Sequence, residues 1–164
     1  MKLKKTSITN YRCFKEAEID FDEHTTLIVG KNGAGKTAIL DAVAVAISTF
    51  LLGIDGGVSR SISKDDARYE FYDLDGTVDP QHQFPVSIES TGDCLDNHDV
   101  KWVRSLNSES GNTTVKEARE LTNISKNTQK RIMTGDKSLI LPLISYYGTG
   151  RLYAQKKEKK NIKS

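Results

Sequence analysis

The clearest chemistry in this sequence lies in the stretch from Gly30 to Thr37, which reads Gly-Lys-Asn-Gly-Ala-Gly-Lys-Thr. It fits the phosphate-binding loop pattern G-x-x-x-x-G-K-[ST] at every position. Gly33 and Gly35 let the backbone approach phosphate oxygens, and Lys36 adds a mobile positive charge. Thr37 can offer a hydroxyl to Mg²⁺, which prefers hard oxygen ligands. The pattern therefore predicts a site for a nucleoside triphosphate with magnesium.

The predicted site includes the whole loop and the start of the helix after it. Backbone N–H groups at a helix N-terminus form a cradle for anions, and the amide of Asn32 can face the γ-phosphate. The pattern predicts ATP contacts from Lys31, Asn32, Gly33, Ala34, Gly35, Lys36, Thr37 and Ala38, with Thr37 as the Mg²⁺ ligand. No Asn-Lys-x-Asp pattern for reading guanine occurs, so ATP is favoured over GTP. An ordinary helix N-cap is the alternative interpretation of the Gly-Lys-Thr turn.

One acid close to the loop has two interpretations. Asp41 lies four residues after Thr37, about one helical turn along. It is either an exposed or internally paired acid, or a residue in the surroundings of the Mg²⁺ ion. No apolar run after the loop ends in an acid that could fix Mg²⁺ and water for hydrolysis.

The flanking residues predict the elements that such a loop needs. Thr25–Val29 carries no charge and predicts a buried central strand. Ala38 to about Leu52 predicts a helix whose positive end points at the phosphates, and its apolar residues lie nearly all round, so we expect cover on several sides. Before them, Lys2–Asn10 and the alternating residues Ala17–Phe21 predict two strands.

The rest of the chain predicts an antiparallel part. Tyr69–Asp73 is a possible strand, and Phe84–Ser90 with Val100–Leu106 predicts an antiparallel pair around the turn-rich residues 91–99. Thr114–Thr134 predicts a long helix and Leu139–Tyr147 a buried strand. The order of the predicted strands and helices indicates an α/β fold. It consists of a P-loop core with a mixed sheet and an attached antiparallel part.

Composition limits the broad class. The chain has 164 residues, 37% of them hydrophobic, and a net charge of +2, so we expect one globular domain with no overall bias towards nucleic acid. Its two cysteines make no disulfide framework and no metal-ligand spacing. The N-terminus has no signal-peptide run, and the longest apolar stretch is too short to span a bilayer. These features predict a cytoplasmic protein without a membrane partner.

The order and spacing of several motifs resemble the N-terminal ATPase lobe of the RecF, SMC-like and OLD-like class of ABC-type ATPases. The motifs are Ile8–Phe14, Ile19–Phe21, Leu27–Thr37 and Leu40–Ala42. A later segment, Leu143–Arg151, resembles predicted virulence-associated ATP-binding proteins and the ATPase subunit of Septu-type antiphage systems, including those attached to retrons. The resemblance covers roughly residues 1–151, which we expect to form the lobe, and 152–164 is then a basic tail, disordered or the start of a further segment.

The resemblance implies further site residues. Arg12 matches a position that contacts phosphate or ribose, with a surface arginine as the alternative interpretation, and Tyr11 and Phe14 would lie near adenine. The residues from Tyr146 to Arg151 would occupy the place of the loop that senses the γ-phosphate. In the basic tail, a solvated segment is the first interpretation and an arm touching phosphates the second.

The resemblance also implies an assembly and a function. Two heads of this class sandwich ATP, so we expect a head-to-head dimer that regulates a DNA-acting effector in antiphage defence. An HNH-type nuclease subunit and DNA or retron nucleic acid are the implied partners. The signature motif, the acidic Mg²⁺ strand and the catalytic glutamate are not found in these 164 residues, so hydrolysis is expected only of a longer protein. The alternatives are a non-hydrolysing, nucleotide-bound scaffold module and a RecF-like DNA repair ATPase fragment.

Overall fold

The computed structural model describes residues 1–74 and 77–148. In those residues the strands are β1 (Lys2–Tyr11), β2 (Phe14–Asp20), β3 (Tyr69–Leu74), β4 (Thr77–His82), β5 (Val86–Cys94) and β6 (Asn97–Leu106), and the α-helices are α1 (Lys36–Ser48) and α2 (Arg119–Met133). Short 3₁₀ turns occupy Thr49–Gly53, Lys64–Asp66 and Lys116–Ala118. The combination of a sheet with packed helices confirms the α/β class.

An antiparallel sheet of four strands carries the core, in the order β2-β1-β5-β6. Ile8 pairs with Ile88 across β1 and β5, and both side chains are buried. Helix α1 lies on this sheet with Ala42 and Val45 fully buried. The indole Nε1 of Trp102 on β6 donates to the backbone oxygen of Ala46, 3.0 Å away, which joins helix to sheet.

Helix α2 packs against the 3₁₀ turn at the end of α1. Its inward face holds Thr122, Ser125 and Thr128 as well as Leu121, and the three buried hydroxyls donate to backbone oxygens of α2 itself. A Cβ added at Gly53 would lie 1.9 Å from the hydroxyl oxygen of Ser125. The turn and α2 therefore approach as closely as only glycine allows.

Strands β3 and β4 form a separate antiparallel ribbon. Tyr69 pairs with His82, and their rings lie 4.1 Å apart between centroids. Phe71 pairs with Pro80 on the same face, and Phe71 is largely exposed. The strand predicted over Tyr69–Asp73 is confirmed.

Two predicted strands are wrong. Residues 25–29 and 139–147 have no regular structure, and the apolar side chains of Leu27 and Leu143 are 80% and 95% exposed. A strand needs a neighbour to take its backbone hydrogen bonds, and apolar composition alone does not supply one. Both sheets in the described residues are antiparallel, so the mixed sheet expected from these segments does not form there.

The other predicted elements are confirmed with shifted ends. The β1–β2 pair, the β5–β6 pair and both helices form, and β5 and β6 continue through residues 91–99 to a turn at Leu95. Most positions of α1 are buried or half-buried, as expected of a helix covered on several sides, and Leu40 on its outer face is 46% exposed, so the cover is incomplete there. The expectation that the longest apolar stretch is too short to span a bilayer is wrong, since the helical stretch Lys36–Gly53 is long and apolar enough to cross a membrane by length and composition. Half of it is buried in the protein, as in the core helix of a globular domain.

Candidate nucleotide-binding site

The loop from Gly30 to Thr37 has the backbone shape that its glycines predict. Gly33 and Gly35 have φ angles of 82° and 87°, in the left-handed region that glycine adopts without strain. The N–H of Ala34 donates to the oxygen of Lys31 at 3.2 Å, and α1 then begins at Lys36. Helix α1 therefore starts two residues before the predicted start at Ala38. The N–H groups of its first turn belong to the phosphate-binding loop.

A cavity of about 400 Å³ opens at the N-terminus of α1. Its lining consists of Arg12, Cys13, Asn32, Gly33, Gly35, Lys36, Thr37 and Ala38. The structure therefore brings together most of the residues predicted to bind ATP. Lys31 and Ala34 lie on the loop outside this lining, and Cys13 was missed, since only its position beside Arg12 distinguishes it in the sequence.

Lys36 is held against its own loop. Its Nζ atom donates to the backbone oxygens of Gly30 and Lys31, both at 2.7 Å. The ammonium thus lies beside the glycine turns, where the pattern places the β- and γ-phosphates. Thr37 is exposed, so its hydroxyl is accessible from solvent.

The hairpin turn between β1 and β2 closes one side of the cavity. Tyr11 pairs with Phe14, and the two residues between them, Arg12 and Cys13, form the turn. Arg12 has a φ of 52°, an uncommon conformation for a side-chain-bearing residue. Its N–H donates to the backbone oxygen of Asp66 at 2.7 Å, which ties the turn to the 3₁₀ segment Lys64–Asp66.

A buried carboxylate lies behind the cavity. Asp41 on α1 is 5% exposed, and its Oδ2 accepts from Nη1 of Arg12 at 2.5 Å. Its Oδ1 accepts from Nη2 of Arg60 at 3.0 Å and from the hydroxyl of Tyr146. Nε of Arg12 also donates to Asp66 at 2.9 Å. Burial is the main cause that raises the pKa of Tyr146, and its bond to Asp41 adds to the rise.

These contacts bear on two interpretations that the sequence leaves open. Asp41 is the internally paired acid. Arg12 is half-buried and paired with two carboxylates, and it lines the cavity, so it is not a surface arginine. Tyr11, expected near adenine, has a fully buried side chain, and Phe14 is half-buried beside Gly35, so the placement of both residues near adenine stays a prediction.

The donors fit a triphosphate with Mg²⁺. Left-handed glycines, the ammonium of Lys36 and the N-terminus of α1 suit phosphate, and Mg²⁺ takes few protein ligands when phosphates and water complete its shell. Residues 1–74 and 77–148 hold no group of three or more His, Cys, Asp or Glu that could bind a metal by themselves. Thr37, the predicted Mg²⁺ ligand, is exposed at this end of α1. Thr149–Arg151, the end of the predicted γ-phosphate loop, and the 152–164 tail lie outside the described residues.

Comparison with known proteins gives a family and several partial relatives. A family model described as an AAA domain matches residues 5–164. The DNA replication and repair protein RecF of Flavobacterium johnsoniae is 54% identical over 43 residues, 26% of this chain and 12% of the relative. The DNA double-strand break repair Rad50 ATPase of Archaeoglobus fulgidus is 48% identical over 44 residues, 27% of this chain and 5% of the relative. The RecF of Actinobacillus pleuropneumoniae serotype 5b is 32% identical over 100 residues, 58% of this chain and 26% of the relative.

One solved structure, from work on ATP-driven dimerization and DNA-stimulated activation of SMC ATPases, matches with a TM-score of 0.48 and 17% identity, covering 87% of each chain. The curated relatives are much longer than their matched segments. The chain spans 12% of the Flavobacterium RecF and 5% of the Archaeoglobus Rad50 ATPase.

Proposed function

Since the chain belongs to the AAA domain family, whose model matches residues 5–164, we propose that it binds ATP with Mg²⁺ at the loop from Gly30 to Thr37. The observation that carries the proposal is the cavity at the N-terminus of α1, lined by Lys36, Thr37, two left-handed glycines and Arg12. A positive helix end, backbone N–H donors and two cationic side chains are the chemistry that a polyphosphate requires.

Each lining residue has a distinct role in this proposal. Lys36 would exchange the backbone oxygens of its loop for phosphate oxygens, and the hydroxyl of Thr37 would ligate Mg²⁺. The left-handed φ angles of Gly33 and Gly35 give the loop the backbone shape in which N–H groups can reach phosphate oxygens. Arg12 supplies a guanidinium from the neighbouring hairpin turn, and the amide of Asn32 faces the γ-phosphate.

The lobe works within a larger assembly in this proposal. Two copies of the head dimerise around ATP, and hydrolysis by the full-length protein changes their relative geometry. The RecF and Rad50 relatives are named for DNA replication and repair and for double-strand break repair, which supports a DNA-acting partner for this chain. The resemblance of Leu143–Arg151 to Septu-type ATPases supports antiphage defence, with an HNH-type nuclease as the effector and DNA or retron nucleic acid as the target.

A RecF-like role in DNA repair is the second candidate, and the RecF relatives favour it. The two roles can be distinguished by comparing cells that carry the gene with cells that lack it. Defence predicts a change in phage plating with unaltered survival after ultraviolet irradiation, whereas repair predicts the reverse.

Calorimetric titration of MgATP into the protein tests nucleotide binding directly. We expect saturable binding that Lys36→Ala weakens at least tenfold, about 1.4 kcal/mol. Lys126→Ala is the matched control, because it removes the same charge from an exposed position on α2. Binding that survives Lys36→Ala unchanged would refute the proposed site. Binding without phosphate release by the full-length protein would instead support the scaffold alternative.

A further inference from the structure

We propose that Asp41 and Tyr146 are positioning residues that hold the guanidinium of Arg12 at the edge of the cavity for a phosphate group of the nucleotide. The inference rests on the proposed function, because it assigns a mechanism to the same site. It adds that the segment around Tyr146 and the nucleotide site are energetically coupled through one buried carboxylate.

The guanidinium of Arg12 is held in one orientation and still has N–H donors available for a ligand. A guanidinium has five N–H donors in one plane. Nε donates to Asp66 and Nη1 to Asp41, so two bonds at 2.9 and 2.5 Å fix that plane while the residue still lines the cavity. A side chain whose rotamer is fixed before the ligand arrives loses less conformational freedom on binding.

Asp41 is itself fixed from its other oxygen. Oδ1 accepts from Arg60 and from Tyr146, and the Arg60 guanidinium lies 5.4 Å from the centre of the Tyr146 ring. Because Asp41 is buried, loss of one of these donors leaves its Oδ1 atom with fewer hydrogen bonds and no water to replace them. The orientation of Asp41, and hence of Arg12, thus depends on Tyr146, which lies 105 residues further along the chain.

This arrangement places Tyr146 where it can respond to the nucleotide. Its neighbours Leu143 and Tyr147 are largely exposed, so the segment lies at the surface of the protein, whereas the Tyr146 hydroxyl reaches the buried acid. A phosphate that draws on Arg12 changes its bond to Asp41, and with it the bond from Asp41 to Tyr146. By reciprocity, a partner that moves Tyr146 changes the affinity for nucleotide by the same factor.

A double-mutant cycle on MgATP affinity tests the positioning role. The proteins are wild type, Arg12→Ala, Asp41→Asn and the double variant. We expect Asp41→Asn to weaken MgATP binding about fivefold or more in the wild-type background, but less than about twofold when Arg12 is already alanine. A merely structural acid would weaken binding by the same factor in both backgrounds, and that result would overturn the proposal. Asp41→Glu, which keeps the charge, should recover part of the lost affinity.

Tyr146→Phe keeps the test valid should Asp41→Asn fail to fold. This variant retains the ring that faces Arg60 and removes only the hydroxyl. We expect about two- to fivefold weaker MgATP binding, again only when Arg12 is present. Tyr69→Phe on the β3–β4 ribbon makes the same chemical change away from the cavity and should bind as wild type. Equal MgATP affinity of Tyr146→Phe and wild type would overturn the role of Tyr146.

The outcomes separate this inference from the proposed function. If wild type does not bind MgATP, or Lys36→Ala binds equally well, the nucleotide site itself is refuted. If Lys36→Ala loses binding while Asp41→Asn has no effect or an equal effect in both backgrounds, the site stands and the positioning role is refuted.

Discussion

Gly35 and Phe14 lie so close together that a Cβ on the glycine would be 2.5 Å from Cζ of the phenylalanine. The same Cβ would lie 2.7 Å from the sulfur of Cys13. The hairpin turn that carries Arg12 is therefore packed directly onto the phosphate-binding loop. This contact fixes the two halves of the candidate site relative to each other.

Gly35→Ala should destabilise the protein more than another glycine substitution at a similar φ angle. The left-handed conformation costs alanine about 1–2 kcal/mol, and the clash with Phe14 raises the expected loss to about 2–4 kcal/mol. Gly135→Ala is the control, since its φ is 81° and nothing lies within 4 Å of the added Cβ. Urea denaturation measures both. Equal losses would show that Phe14 moves aside freely.

Gly53→Ala should loosen α2 from the end of α1. The added Cβ would lie 1.9 Å from Oγ of Ser125 and 2.6 Å from the backbone oxygen of Thr122, so the helix must shift. We expect a loss of about 2–4 kcal/mol in urea denaturation. Gly56→Ala, where the added Cβ meets nothing within 4 Å, should cost only the strain of its positive φ angle. A difference below about 0.5 kcal/mol between the two variants would contradict the close packing of α2.

Elements whose partners are close in sequence could be predicted from local pattern. The β1–β2 and β5–β6 pairs are hairpins, and the alternation predicted over Ala17–Phe21 matches the half-buried side chains of Ala17 and Ile19 in β2. Thr25–Val29 and Leu139–Tyr147 have the composition of buried strands but no ladder neighbour in the described residues. Hydrophobicity indicates that a segment can be covered, whereas a strand also requires a neighbouring backbone.

Arg104→Met should destabilise the core through unpaired acceptors. The guanidinium is buried and donates to the backbone oxygen of Thr114 at 2.8 Å and to the hydroxyls of Thr49 and Ser59 at 3.1 Å each. Burial lowers the pKa of Arg104, so these acceptors offset part of the cost of its charge. We expect a loss of about 2–4 kcal/mol.

Lys101→Met is the matched control for Arg104→Met, because it removes a positive charge from an exposed position on the same strand. It should change the free energy of unfolding by less than about 0.5 kcal/mol. If both variants unfold at the same urea concentration, the buried hydrogen bonds of Arg104 contribute nothing measurable.

Low pH should reduce the free energy of unfolding, partly because Asp136 becomes protonated. Bonds from the hydroxyl and N–H of Ser138, with Arg131, lower the pKa of Asp136 from 3.8 to about 2. The unfolded chain therefore takes up a proton at higher pH than the folded one. The stabilising contribution of Asp136 is present above pH 3.8 and is lost as the pH falls towards about 2.

Carbon-detected NMR titration of the Asp136 carboxyl group measures this pKa directly. A midpoint near 3.8 would contradict the hydrogen bonds seen at this residue. In urea denaturation, Asp136→Asn should reduce the loss of stability between pH 4 and pH 2 relative to wild type.

In the candidate site too, contiguous features could be predicted from the sequence and long-range contacts could not. The phosphate-binding loop is a contiguous motif, so its lining residues follow from the sequence, and the RecF and Rad50 relatives confirm the resemblance to RecF and SMC-like ATPases. The contacts of Asp41 join residues 29 and 105 positions away, at Arg12 and Tyr146. No spacing rule links such distant residues. The sequence therefore left two interpretations of Asp41 open.

Trp102 gives the protein an optical reporter of its own. It is the one tryptophan of the chain, it is buried, and its indole is bonded to Ala46 in the helix that begins at the phosphate-binding loop. Indole emission shifts to longer wavelength when the ring meets water. Fluorescence therefore follows the attachment of α1 to the sheet without any added dye, during unfolding and during nucleotide titration alike.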